Sequence, residues 1–441
     1  MSLPDIFTTD FKDEPFWWIA APRPPRRGDG LPASVDVVIV GSGVTGLNAA
    51  RELARAGRSV AVLDAEELGH GGSSRNAGNL GRVLKYEFTA IRRKLGEQAA
   101  LSYYGEMQDA YDTLGEVIRR EEIDCHYQKK GRLVLAYTDK QQRLIVGEAE
   151  EKRKALNEEY RVLSAADVHA ELGSESFVGG ICLPDSAAFH PGLYHLGLIA
   201  AAERQGAQLF SHTAVTGIER NGDAGGFTVS TSRGDLKARD VVIATNGYSV
   251  AGVPNYFKRR LIPFDAYMIA IRCPEAELER IMPKDRVYID ANHNLFFFRR
   301  APDNNHVLFG GRTGSRRPAD LREIGAKLYA DACRILPGLA DHRVSRAWTG
   351  RCAGTFDLYP HIGQHDGMHY AAGYCFAGMP MGTYLGQKLA WGILGDERGR
   401  TIYRERSFPT VPGFTGNSWF MPYFMKYYDW LDRRDGGRPH A

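Results

Sequence analysis

Apolar residues in this chain come in short runs with punctuation between them. Val37-Val38-Ile39-Val40 leads into the turn Gly41-Ser42-Gly43-Val44-Thr45-Gly46. A helical spacing follows from Leu47 to Ala56, Gly57 stops it, and a second run, Val60-Ala61-Val62-Leu63, ends on Asp64. The pattern predicts strand, turn, helix, strand and a terminal acid. Residues 91–160 are charged with helical periodicity, and Gly131 to Tyr137 reads as a strand inside them. Leu196 to Ala202 predicts a helix, and Gln208-Leu209-Phe210 a short strand after it. Phe227 to Ser230 and Asp240 to Ala244 are strand candidates. Leu295 to Phe298 and His306 to Phe309 are set to pair across the turn Pro302 to Asn305. Phe16-Trp17-Trp18 is the anchor expected of an N-terminal arm. The aromatic tail Trp419 to Asp432 has two readings, a helix that dips into a membrane interface and a terminal helix packed on the core; the second is favoured, because Asp429 and Asp432 interrupt its apolar face and basic residues do not line the other.

Composition narrows the class. The chain has 441 residues, 43% hydrophobic and 25% charged, as expected of a globular protein with two or three domains' worth of structure. A net charge of +3 gives no argument for nucleic acid, and Arg23 to Arg27 is proline-broken and reads as a solvated linker. The six cysteines have no CxxC spacing, so neither a disulfide framework nor a metal site is expected, and a reducing cytoplasm fits. No signal peptide is visible in Met1 to Asp13, and no apolar run approaches the ~20 residues of a membrane helix. Stable membrane insertion is therefore not expected, and the oligomeric state stays open.

The turn carries the chemistry. Gly41 lets the chain leave the strand sharply, Gly43 leaves room for a pyrophosphate, and Gly46 lets the helix sit against the sheet. The helix start offers amides and a positive dipole end to phosphate. Asp64, 23 residues after Gly41, is placed to bond a ribose hydroxyl, which favours FAD or NAD over NADP. The motif alone does not separate FAD from NAD.

Four further motifs make the chain resemble the D-amino-acid-oxidase-like (DAO) FAD oxidoreductases, within them the gamma-glutamylputrescine-oxidase-like group. These are Gly69-His70-Gly71-Gly72-Ser73-Ser74-Arg75-Asn76-Ala77-Gly78; Ala244-Thr245-Asn246-Gly247-Tyr248; Trp348-Thr349-Gly350 with Thr355, Asp357, Pro360, Ile362 and Gly363; and Gly373 to Thr383. The resemblance covers Asp10 to about Pro422. It implies FAD as cofactor, and an α/β (α+β) fold with a Rossmann-like FAD-binding domain and a substrate domain on a large mixed or antiparallel β-sheet. The expected division is an arm at 1–34; an FAD domain from 35–90, 165–250 and 345–400; a substrate domain from 91–164 and 251–344; and a tail at 401–441. The implied FAD contacts are Gly41, Ser42, Gly43, Val44, Thr45, Gly46, Asp64 and Ala65. Ser73, Ser74, Arg75, Asn76, Ala77, Gly78, Asn79 and Leu80 follow along the flavin. Val215, Ala244, Thr245, Asn246, Gly247 and Gly350 join them, and Gly378, Met379, Pro380, Met381, Gly382 and Thr383 are implied at the flavin N1–C2=O edge.

The implied reaction is oxidation of a primary or secondary amine, an amino acid or gamma-glutamylated amine included. Hydride passes from the carbon beside nitrogen to flavin N5, the imine hydrolyses, and O2 reoxidises the flavin with release of H2O2. Some positions depart from the family pattern. Phe376 and Ala377 replace a glycine and a histidine, and Pro380 stands where sarcosine-oxidase-like members have a lysine for the substrate carboxylate. Leu308 stands where a lysine promotes reaction with oxygen. These departures keep two alternatives: a dehydrogenase passing electrons to a quinone or electron-transfer protein, and a flavin-binding protein without turnover. Arg312, Tyr374 and Phe376 are the candidate substrate contacts; Arg299, Arg300 and Arg351 are further candidates for a substrate carboxylate. The flavin is expected to be non-covalent, with Cys352 the position for a thioether if one forms. His190, before Pro191-Gly192, reads as structural. No general base is assigned, because an amine can lose its proton before hydride transfer.

Overall fold

The computed structural model describes residues 6–25, 28, 30–222, 225–249, 252–314, 320–404 and 406–437, without the side chains of 312–314. The fold is mixed α/β, built on two large sheets. Strand Ser34–Val40 pairs in parallel with Val60–Leu63 on one side and Gly234–Ile243 on the other, and Gln208–Phe210 extends the sheet beyond Val60–Leu63. Val37, Val38 and Ile39 are fully buried, as a parallel sheet covered on both faces requires. The helix Val44–Arg55 lies against this sheet, and the helix Gly378–Ile393 closes over it. The expected Asp240 to Ala244 strand is the end of a ten-residue strand whose first half pairs antiparallel with Phe227–Thr231.

The second sheet has nine strands in the order Phe7–Lys12, Arg343–Gly354, Ile262–Arg272, His306–Gly314, Phe297–Arg300, Val287–Asp290, Arg132–Ala136, Gly179–Leu183, Arg161–Ser164. The expected hairpin forms, with Phe298 opposite Phe309 and Arg300 opposite Val307.

Sheet membership crosses three of the expected domain boundaries. Gly179–Leu183 and Arg343–Gly354, assigned from sequence wholly or mostly to the FAD domain, are strands of the nine-stranded sheet. The helix Glu97–Arg120, assigned to the substrate domain, buries Tyr104, Met107 and Ala110 in the same core as Val37, Leu47 and Leu385. Phe7–Lys12, taken as arm, is an edge strand paired with Arg343–Gly354. Each displacement follows from which apolar face needed cover, which linear order does not encode.

The arm anchor forms as expected: Trp17 is fully buried and its Nε1 donates to Asn76 O at 2.8 Å. Of the stretch read as a solvated linker, Arg26 and Arg27 lie outside the described residues, and Arg23 is half-buried rather than solvated. Its guanidinium donates to Ala21 O at 2.7 Å and Leu68 O at 3.5 Å, and burial pushes its pKa down to about 10. The tail forms the helix Met421–Arg434, but only Met421 and Asp432 are buried in it and most of its aromatics face outward. The two acids, read from sequence as interruptions, are the groups that attach it.

Candidate functional site

The glycine turn is built as its spacing implies. Gly41 has φ +105, a conformation side chains rarely adopt, and a Cβ there would meet Ala244 O at 2.9 Å. A Cβ on Gly46 would meet Gly41 O at 2.1 Å, so the helix Val44–Arg55 touches the strand end backbone to backbone. That helix has Gly43 as N-cap, with no side chain of its own to satisfy the first-turn amides. Ser73 Oγ accepts from Val44 N at 2.9 Å and ties the second motif to the turn.

The remaining motifs converge on the same place. A Cβ on Gly350 would be 3.5 Å from Arg75 Cβ, and one on Gly247 would be 2.6 Å from Cys352 O. Asn246 Oδ1 accepts from Gly373 N at 2.9 Å. A Cβ on Gly382 would be 2.7 Å from Val44 Cγ1, so the start of Gly378–Ile393, also uncapped by a side chain, abuts the first turn after Gly43. Segments far apart in the chain thus present two helix N-termini to one cleft.

Asp64 accepts from Ser42 N (2.9 Å), Ser42 Oγ (2.5 Å) and Glu66 N (3.1 Å). Burial raises its pKa, which those bonds oppose. His195 supports the turn from behind: its Nε2 lies 2.8 Å from Ser42 O, and since a carbonyl only accepts, Nε2 carries the proton. Burial pushes His195 down to about 3, so the ring is neutral. Val215 begins a strand two residues after Thr213, whose N–H donates to Asp64 O at 2.6 Å, so it lies at the Asp64 end of the cleft; Ala65 is exposed beside it.

The segment from Ser73 to Leu80 is held from outside. Trp18 Nε1 donates to Ser74 Oγ (3.0 Å), Trp348 Nε1 to Arg75 O (2.9 Å), Asn76 Oδ1 accepts from Gly78 N (2.9 Å), and Arg299 donates to Gly78 O (2.9 Å). Ala77 packs against the cluster of Trp17, Leu308 and Trp348. Asn79 Oδ1 is buried with no hydrogen-bond partner among the described residues. A buried acceptor of this kind costs free energy unless a donor meets it.

The family model for DAO, FAD dependent oxidoreductase, matches residues 36–391. The chain belongs to this family of FAD-dependent oxidoreductases. It is 28% identical to gamma-glutamylputrescine oxidoreductase of Escherichia coli over 403 residues, covering 90% of this chain and 93% of that protein. Its fold matches glycine oxidase from Geobacillus kaustophilus with TM-score 0.69 and 22% identity over 86% of this chain and 99% of that one. L-proline dehydrogenase from P. horikoshii matches with TM-score 0.70 and 18% identity over 89% and 99%. At such identities the solved structures show the fold.

The cleft fits the family's FAD. Its turn has no side chain at Gly43, where a Cβ would press on Ser73 Oγ at 3.1 Å, and the orphan acceptor of Asn79 faces no protein donor. The candidate substrate residues fare unequally. The side chain of Arg312 lies outside the described residues. Tyr374 is buried, and its hydroxyl donates to Ala371 O (3.0 Å) and therefore accepts from Thr45 Oγ1 (2.7 Å), which commits it to tying the helix Val44–Arg55 to the end of strand Met368–Ala372 and the loop that follows. Phe376 stands 60% exposed at φ +74, against Phe264, on the loop after Cys375 at φ +45. The left-handed conformation strains a bulky residue and would suit a glycine.

Three arginines are spoken for. Arg299 and Arg300 are buried and donate to backbone carbonyls, and Arg351 forms a two-pronged pair with Asp265 at 3.0 and 3.2 Å. His190 caps the helix Pro191–Arg204, accepting from Leu193 N at 3.1 Å, the structural role expected of it. Burial pushes the Cys352 thiol up to about 12, so it carries no activated thiolate. Sequence reasoning missed Lys85. It stands 5.5 Å over the Tyr428 ring with Cys375 among the groups acting on it, and crowding by protein lowers its pKa. No carboxylate lies within ion-pair distance of it among the described residues. Its charge gave no signal in a chain rich in lysine and arginine. Among those residues no cluster fit for a metal ion exists, and no helix is long and apolar enough to cross a membrane.

Proposed function

We infer that this protein oxidises the C–N bond of a primary or secondary amine, an amino acid or gamma-glutamylated amine included. The observation that carries the reading is the family match over residues 36–391. The names of the relatives agree with it: a gamma-glutamylputrescine oxidoreductase, a glycine oxidase and an L-proline dehydrogenase each take an amine or amino acid.

FAD, when bound, supplies the acceptor for the hydride that leaves the carbon beside the amine nitrogen. Gly43 and the first turn of Val44–Arg55 hold the diphosphate, and Asp64 holds the ribose in exchange for its bonds to Ser42. Asn79 Oδ1 accepts a hydrogen bond from the cofactor, and the start of Gly378–Ile393 offers amides where negative charge gathers. The chain positions the C–H bond and excludes bulk water; Phe376 and Arg312 border the substrate, and water hydrolyses the imine product. No residue need act as general base, because the amine binds in its neutral form. FAD is held without a covalent bond, as the protonated Cys352 thiol suggests, so denaturation releases it.

Reoxidation by O2 with release of H2O2 is the favoured second half. Leu308 supports the other outcome, a dehydrogenase using a quinone or electron-transfer protein. It is fully buried and apolar among Trp17, Met268, Ala270 and Trp348, which leaves no cation there to stabilise superoxide. The test is anaerobic mixing of the purified flavoprotein with a panel of amines, amino acids and gamma-glutamylated amines. Bleaching of the flavin absorbance identifies the substrate class, and the speed of recovery in air separates oxidase from dehydrogenase. A flavin-loaded protein that no amine bleaches would overturn the assignment and leave a flavin-binding protein without turnover.

A further inference from the structure

The helix Met421–Arg434 is seated through its two acids, beside the buried Met421 and Tyr428, which stacks on His293. The buried Asp432 carboxylate accepts from His293 N at 2.8 Å and Asn294 N at 3.2 Å, and Asp429 accepts from Asn294 Nδ2 at 3.0 Å. The aromatics are turned out: Trp419 just before the helix is 66% exposed, Tyr423 69%, Tyr427 51% and Trp430 54%. Their spacing of four, four and three residues puts them in one stripe. Tyr427 and Trp430 stack on each other with centroids 5.9 Å apart. Lys426 and Arg433 are exposed beside this stripe, while both acids within the helix point into the protein. Asp435, just past its end, is engaged by Lys140 at 2.7 Å and by Arg434 at 3.1 Å. The outward face is therefore aromatic and cationic, without a free carboxylate among the described residues.

We propose that this face lies on an anionic lipid surface, with the helix axis in the plane of the interface. Tryptophan and tyrosine have an apolar body and a polar tip, which suits the headgroup level of a bilayer. Lys426 and Arg433 complement anionic headgroups, and withdrawal of Asp429 and Asp432 removes the charges that lipid would repel. At 14 residues the helix is about 21 Å long, too short to span a bilayer, so the attachment is peripheral and reversible. The proposal stands apart from the reaction proposed above.

The flavin-loaded full chain is sedimented with phosphatidylcholine vesicles that contain or lack phosphatidylglycerol. The protein is expected to co-sediment with the anionic vesicles and to be released by salt. Lys426→Gln combined with Arg433→Gln should lower the partition coefficient roughly twenty-five-fold, at about fivefold per cation. Tyr427→Ser with Trp430→Ser should abolish binding while flavin content and far-ultraviolet circular dichroism stay unchanged, since beyond each other these rings meet only Tyr428 and Arg434 of the same helix. Failure to bind either vesicle, or binding that survives the aromatic double variant, overturns the proposal. So does a concentration-dependent dimer lost in that variant, because a second copy of the chain would then be what covers the face.

Discussion

Substituting Gly46→Ala sets packing against helix propensity at the turn. The added methyl would lie 2.1 Å from Gly41 O and 3.2 Å from Ile39 Cγ2, where ordinary contact begins at 3.4 Å. Gly41 cannot give way, because it sits at φ +105 with Ala244 O closing the other side. The helix Val44–Arg55 must therefore back away from the strand by more than an ångström. Alanine is the better helix former by about 1 kcal/mol. Overpacking costs about 1–3 kcal/mol, and a clash with backbone sits at the upper end of that range. Packing wins, and the net loss is about 1–2 kcal/mol, a fall of about 1–2 °C in Tm for a chain of this length. The same shift moves the first-turn amides, so the FAD Kd should rise at least about tenfold, equivalent to about 1.4 kcal/mol. The assay is the flavin-to-protein ratio after gel filtration, with Kd from flavin fluorescence on titrating stripped protein. A variant that keeps full flavin occupancy and the parent Kd would refute the placement of the cofactor on this turn. One that loses Tm alone would show that the turn matters only for packing.

Gly105→Ala is the opposite case. Gly105 is exposed inside the helix Glu97–Arg120, a Cβ there meets nothing within 4 Å, and the change should raise stability by about 0.5–1 kcal/mol with unchanged flavin content. Tyr374→Phe leaves the Thr45 hydroxyl without its acceptor and frees Ala371 O; calorimetry should show a loss of about 1–2 kcal/mol, while the substrate KM stays as it was. In Phe376→Gly, relief of about 1–2 kcal/mol of backbone strain offsets the covered part of the ring, so Tm should barely move while KM shifts severalfold. A KM unchanged across all substrates would remove Phe376 from the pocket. His195 gives a pH signature: its folded pKa of about 3 lies below the usual 6.5 of a free imidazole, so the unfolded chain takes up the proton first. Its contribution is present above pH 6.5 and is lost as pH falls through that window, and His195→Gln should flatten this part of the Tm-versus-pH curve.

Local order was enough to read the dinucleotide unit. Gly41, Gly43, Gly46 and Asp64 are close in sequence because the strand, turn, helix and strand that use them are consecutive, so spacing alone encodes their geometry. The convergence of Ser73 to Leu80, Asn246, Gly350 and Gly382 on that turn came from family motifs, since nothing local to any of them points to the others. Tertiary structure decided three matters. Tyr374 and Arg351 carry polar groups suited to a substrate, yet each found a protein partner, Thr45 or Asp265, that is distant in the chain. Lys85 found the Tyr428 ring, also distant in the chain, and no carboxylate within ion-pair distance among the described residues. The tail helix shows the limit most directly. Its periodicity fixed which residues share a face, but which face turned inward depended on backbone donors at His293 and Asn294 more than a hundred residues away. Hydrophobic pattern specifies what can be buried; the partners that bury it are chosen only when the whole chain has closed.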